Sequence, residues 1–324
     1  MSAEGSTKAI VAAMSANAGI ALTKFIAFLL SGATSMLAEA VHSVADTANQ
    51  VLLLIGKRRA KREADEEHPF GYGRSRYVYA FIVAIILFSL GGLFALYEGI
   101  EKIAHPHPLD PAWWWLPFAV LLVAIVLESF SLRTAIRESN AVRGGRGWVQ
   151  FVRRAKSPEL PVVLLEDIAA LAGLVFALIG VGLTQLTGNG VWDGIGTIAI
   201  GKLLVVVAII LGIEMGSLLV GEGANRDDVA RIRAAIARHP AIDRVIHLKT
   251  LYIGPEELMV GAKVAVSGRT SLAELAPEID AVERDIREAV PAARIIYLEP
   301  DIWRPDPGRD PEPPTDTIIL QSEN

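Results

Sequence analysis

Long apolar runs separated by short charged stretches fill the first two thirds of the chain, and alternating or amphipathic segments follow. A helix crossing a bilayer needs about 20 apolar residues. Six runs meet that length, at residues 8–30, 33–56, 77–100, 112–132, 161–186 and 194–219. Beyond them, 227–238 reads as an amphipathic helix with Val229, Ile232 and Ile236 on its apolar face. Residues 244–252 and 257–266 read as two strands of a hairpin around Gly254-Pro255. Residues 271–289 read as a helix that Pro277 must either begin or kink, and 293–298 as a third strand. This α-β-β-α-β order predicts a small α+β domain with its helices on one sheet face. The expected fold is an α-helical membrane protein. Six transmembrane helices occupy 1–220, a cytoplasmic α+β domain 221–304, and a Pro-rich, disordered tail 305–324.

Composition agrees with that division. Hydrophobic residues make up 52% of the chain and mean hydropathy is +0.40, too apolar for an ordinary soluble protein. The first seven residues lack the basic n-region and cleavage site of a signal peptide, so the first run is expected to be retained. With no cysteine, disulfides and thiolate metal sites are excluded, and His, Asp and Glu remain as strong ligands. The net charge of −5 is concentrated in the soluble part, where 19 acidic residues from Gly221 onward face 13 basic ones. Nothing resembles a nucleic-acid footprint.

The loops set an orientation. Lys57, Arg58, Arg59, Lys61, Arg62, Arg74 and Arg76 follow the second run, and Arg133, Arg137, Arg143, Arg146, Arg153, Arg154 and Lys156 follow the fourth. The opposite loops hold only Lys102, while Trp113, Trp114, Trp115 and Trp192 fit an outer aromatic belt. Both termini and the soluble domain are therefore expected in the cytoplasm, with a bacterial inner membrane as the expected location.

The second run carries the chemistry. Glu39, His42 and Asp46 are spaced i, i+3, i+7 and share one helix face, with Ser43, Asn49 and Gln50 nearby. A charge at membrane depth costs at least about 2.5–3.5 kcal/mol, so such groups face a partner or a hydrated path. His42 and Asp46, at i, i+4, can reach one divalent ion; an interhelical hydrogen-bonding role is the alternative. The fifth run carries adjacent Glu166 and Asp167. Facing one cavity, they would repel each other unless they shared a proton or a cation; pairing to Arg153 and Arg154 is the other reading. Lys24 lies toward the outer end of the first run, shares a face with Asn17, and could snorkel. Glu128 and Ser129 near the inner end of the fourth run suggest a helix contact or an entrance. Asp65, Glu66 and His68 form either a second ion site or a solvated cluster, and His105 and His107 a weak outer candidate.

The six runs, the α+β domain, His42-Ser43-Val-Ala-Asp46, His68-Pro-Phe-Gly-Tyr-Gly-Arg74 and the acidic fifth run together resemble the cation diffusion facilitator family, from residue 8 to about 303. Glu166-Asp167 followed by an Ala-rich stretch resembles the branch containing the animal mitochondrial zinc transporter nine. The resemblance implies a dimeric exporter that exchanges cytoplasmic divalent metal, most often zinc, for protons, with a ferredoxin-like cytoplasmic domain and no resident cofactor. It also implies that His42, Asp46 and Asp167 bind the ion, Asp167 being aligned through Gly173. Val163 stands where the family has His, so Glu166 is the expected fourth ligand, with Glu39, Asn49 or water as alternatives. A site of one imidazole and two or three carboxylates keeps manganese, cobalt and iron(II) in play beside zinc. With only His239 and His247, the soluble domain is expected to form a homodimer rather than bind metal. A metalloenzyme would need a His-Glu-x-x-His motif or a separate nucleophile, and neither is present, so no enzymatic activity is expected. A non-transporting membrane scaffold is the remaining alternative.

Overall fold

The computed structural model describes residues 18–269 and 271–303. Asn17, the residues before it and the Pro-rich tail lie outside the described residues. The chain divides into two compact units, one running up to Lys61 and from Ser75 to Gly216, the other made of Arg62–Arg74 and everything from Ser217.

The first unit is helical. Helix α1 (Ala18–Ser31) and α2 (Thr34–Arg59) are followed by α3 (Ser75–Ala104), α4 (Leu116–Arg143), the short α5 (Trp148–Arg154), α6 (Glu159–Thr187) and α7 (Val191–Val220). Among the described residues α3, α4, α6 and α7 are long and apolar enough to cross a membrane. Helix α2 has 26 residues but carries its polar groups in the middle. The hydropathic run ending at 132 is only part of α4, which continues through a polar stretch until Gly144 turns the chain at φ +59°. Hydropathy marks the apolar slab; the helix itself stops only where a breaker stands. Residues Leu87–Leu93 of α3 are π-helical and include Gly91 and Gly92. A Cβ on Gly92 would lie 2.6 Å from the Val205 side chain, so glycine lets α3 and α7 touch at backbone distance.

One ionic knot went unread in the sequence. Ala33 offers no side chain to cap α2, and the buried Asp193 of α7 does so instead. Its carboxylate accepts from the Thr34 and Ser35 amides at 2.6 and 3.3 Å. Lys102, donating to the Gly32 carbonyl at 2.9 Å, stands 4.0 Å from the same carboxylate. A buried acid serving helix-terminal amides and a lysine recovers much of its desolvation cost.

The second unit holds α8 (Arg226–Ala237), β1 (Ile242–Gly254), β2 (Glu257–Val266), α9 (Leu272–Ala289) and β3 (Ala293–Asp301). The sheet order is β1-β2-β3, antiparallel between β1 and β2 and parallel between β2 and β3. Leu258, Val260, Ala262 and Val264 alternate inward along β2 and form one core with Ile232 and Ile236 of α8 and Val282 and Ile286 of α9. Ser271 caps α9 in a reciprocal box with Glu274, and Pro277 lies inside the helix, which runs on past it. The Arg62–Arg74 loop belongs to this unit. A Cβ on Gly73 would come within 2.7 Å of the Ile253 carbonyl, an approach only glycine permits.

Candidate metal centre

The polar face of α2 is buried: Glu39, His42 and Asn49 are at most 1% exposed. His42 Nε2 lies 3.5 Å from Asp46 Oδ2, the contact that their i, i+4 spacing predicts. Neither ring nitrogen of His42 has a hydrogen-bond partner, nor do Glu39 Oε1, Asp46 Oδ1 or Asn49 Oδ1. Buried polar atoms are nearly always satisfied. These atoms lie on one face of α2, so each can accept a further partner from the same side. The π-helical turn of α3 stands opposite, since a Cβ on Gly91 would be 3.9 Å from His42 Nδ1.

Helix α6 supplies the two adjacent acids, and they diverge. Glu166 is buried and accepts from Asn49 Nδ2 at 2.7 Å, which ties α6 to α2. Asp167 turns toward α4 and accepts from Ser131 Oγ at 2.9 Å. The rotation of about 100° between successive helical residues produces that split. Asp46 nonetheless stands within electrostatic range of both acids. Of the four expected ligands, His42 and Asp46 are brought into contact, while Glu166 and Asp167 are each held by a neutral partner. Among the described residues no three His, Asp or Glu side chains form a ready cage. Gly173, about two helical turns beyond Glu166 on α6, has room for no larger side chain, because a Cβ there would meet Glu39 Oε1 at 3.0 Å.

Two alternatives are corrected by this geometry. Lys24 does not snorkel: it is 1% exposed and donates to Glu39 Oε2 and Ser43 Oγ, both at 2.9 Å. Glu39 is thereby committed to a lysine through one oxygen. Glu166 and Asp167 take Asn49 and Ser131 as partners, while Arg153 lies 3.5 Å from Glu214.

The other candidates are self-contained. In the loop, Asp65 accepts from the His68 amide at 2.7 Å and from Tyr72 Oη at 2.6 Å, and the His68 and Tyr72 rings lie 4.3 Å apart. The Tyr72 hydroxyl, helped by the His68 amide, holds the Asp65 carboxyl below the usual carboxylate range, and the same bond pushes the Tyr72 phenol up. His105 pairs with Glu101 at 2.9 Å. His239 sits between Glu278 and Asp285, at 3.5 and 3.2 Å.

The lysine partner of Glu39, the Asn49 clasp on Glu166 and the Asp193 cap join residues 15, 117 and about 159 positions apart.

Residues 10–220 match the model for the cation efflux transmembrane domain, and residues 224–301 that for the cytoplasmic domain of cation efflux proteins. The proton-coupled zinc antiporter SLC30A9, mitochondrial, of Xenopus laevis is 32% identical over 88% of this chain and 51% of that protein. Its human counterpart is 30% identical over 82% of this chain and 47% of that protein. The cation-efflux pump FieF of Klebsiella pneumoniae is 24% identical, with 90% of this chain and 91% of the pump covered. The chain spans about half the length of the two SLC30A9 relatives.

Proposed function

The chain belongs to the cation efflux, or cation diffusion facilitator, family, and we propose that it is a divalent metal/proton antiporter that exports cytoplasmic metal, zinc foremost. The observation that carries the proposal is the buried His42–Asp46 pair, whose ring nitrogens and outer carboxylate oxygen have no hydrogen bond to give up when an ion arrives. The relatives named as zinc antiporters and as a cation-efflux pump support the same reading.

In this proposal His42, Asp46 and Asp167 bind the ion and Glu166 completes the shell. Asp167 gives up Ser131, or shares it, to turn toward Asp46. Glu166 coordinates through the oxygen that Asn49 does not hold. Imidazole and carboxylates must shed protons to coordinate, so protons and metal compete for the same atoms, and a proton gradient can drive the exchange. A shell closed only when occupied suits a carrier, which must release what it binds.

The six spans of the proposal are α1, α2, α3, α4, α6 and α7. The basic loops after α2 and α4 support cytoplasmic termini, and a bacterial inner membrane is the location proposed. The α-β-β-α-β unit is read as ferredoxin-like and as the homodimer-forming part, consistent with its match to the cytoplasmic domain of cation efflux proteins. The carboxylate-rich ligand set favours a second reading within the same mechanism, with manganese, cobalt or iron(II) as cargo.

The test is side-by-side uptake of zinc, manganese, cobalt and iron(II) into proteoliposomes under an imposed proton gradient. Gradient-dependent uptake with zinc ahead is expected. Uptake of none of the four would overturn the proposal, and manganese ahead of zinc would move it to the second reading.

A further inference from the structure

Past Leu132 the apolar run of α4 is over, yet the helix continues to Arg143. Arg133, Arg137 and Asn140 are spaced i, i+4, i+7 and share one face of that extension with the half-buried Ile136. Both arginines are exposed, and among the described residues neither guanidinium group makes a hydrogen bond or ion pair. With Thr134, Ile136 and Asn140 they line an open cavity of about 530 Å³. Small-molecule sites are typically about 300–1,000 Å³. The next arginine along is already engaged. Arg143 donates to Asn140 Oδ1 and to the Arg146 carbonyl, both at 2.6 Å, and its guanidinium lies 4.4 Å from the centre of the Trp148 ring. Those contacts lead from the cavity to α5. Phe151 of α5 is buried with Ala135 of α4 and Leu164 of α6, which fixes this short helix to the bundle. Trp148 and Val149 nonetheless stay exposed, Val149 at 73%. A docked helix that shows a tryptophan and a valine beside arginines has the character of a segment lying in a membrane interface.

We infer that Arg133 and Arg137 bind the phosphate of an anionic phospholipid headgroup, with Trp148 and Val149 resting against the lipid beside it. Depth agrees with this occupant. The headgroup layer is about 5–8 Å deep on each side of the hydrocarbon. Arg133 follows the last apolar residue of the run, and four helical residues rise about 6 Å, so both arginines fall within that layer. Chemistry agrees as well, because the planar guanidinium fork matches a phosphate and two forks one turn apart can hold one between them. A soluble phosphate would gain nothing from the exposed Trp148 and Val149. A lipid does, and that decides the source. The inference goes beyond the antiport reading and holds whichever metal is carried.

The test is a competition for the full chain in neutral detergent. A fluorescent short-chain phosphatidylglycerol is bound and then displaced by unlabelled phosphatidylglycerol, phosphatidylcholine or glycerol 3-phosphate. Phosphatidylglycerol should displace it at least about tenfold better than either of the others. An arginine near an anionic membrane surface contributes about fivefold in affinity. Arg133→Gln and Arg137→Gln should therefore each weaken binding about fivefold, and the double variant about 25-fold. The single variants keep the inference testable if the double one folds poorly. Arg58→Gln with Arg59→Gln removes the same charge from the end of α2 and should leave binding within about twofold of the parent. Equal losses in the two double variants would overturn the inference, since any positive surface would then serve. Unchanged binding without Arg133 and Arg137 would also overturn it. Glycerol 3-phosphate competing as well as phosphatidylglycerol would overturn the lipid as occupant and leave a soluble phosphate in its place.

Discussion

Asn49 Nδ2 donates to Glu166 Oε1 across 2.7 Å, joining the face of α2 that carries His42 and Asp46 to the acidic turn of α6. That bond leaves the second oxygen of Glu166 free and fixes where it points. Groups that orient a ligand typically contribute about 10–100-fold to metal affinity. Asn49→Ala is therefore expected to weaken zinc binding by about 10–100-fold, read by calorimetry on the full chain. Unchanged affinity would show that Glu166 is not positioned through Asn49.

The Lys24–Glu39 pair is buried on both sides. Removing one partner of such a pair leaves an uncompensated charge and costs about 3–5 kcal/mol, whereas removing both can be nearly neutral. Lys24→Met and Glu39→Gln should each lower resistance to unfolding in detergent titrations, and the double variant should be more resistant than Lys24→Met alone. Additive losses would contradict the pairing.

Asp65 is held below its ordinary value chiefly by Tyr72. A group with a depressed folded pKa contributes stability above its unfolded value, near 3.9, and loses it as pH falls through the folded one. The loop is therefore expected to keep its order through mildly acidic pH and to lose it below about pH 4. Carboxyl NMR of aspartate-labelled protein should show Asp65 titrating low in the parent and moving up in Tyr72→Phe. No movement would remove Tyr72 as the cause.

At the start of α9, Ser271 accepts from the Glu274 amide while Glu274 returns a bond to the Ser271 amide. Loss of a helix cap costs about 0.5–2 kcal/mol. Ser271→Ala should thus speed amide hydrogen exchange in the first turn of α9 about 2–30-fold and leave α8 unchanged.

The cytoplasmic elements were legible to within about three residues, because each end is marked locally: Gly254-Pro255 between the strands, Ser271 with Glu274 at the head of α9, and alternation along β2. His42 and Asp46 were legible for the same reason, since both lie on one helix and their spacing decides their contact. The partners of Glu166, Asp167 and Lys24 were not. Those depend on which neighbouring helix each side chain meets, and a rotation of about 100° between Glu166 and Asp167 sends one to α2 and the other to α4. The short α5 was also missed, because its apolar Trp148, Val149 and Phe151 sit within a basic loop too short to give a period.

The most direct measurement is zinc flux into dye-loaded proteoliposomes under an imposed proton gradient, comparing the parent with Asp46→Ala and Asp167→Ala. Each variant removes one of the proposed carboxylate ligands from a different helix, and a loss of about tenfold or more in gradient-driven flux is expected in both. Flux that continues at the parent rate in both variants would contradict the account, because the ion would then cross without the α2 and α6 carboxylates proposed to bind it.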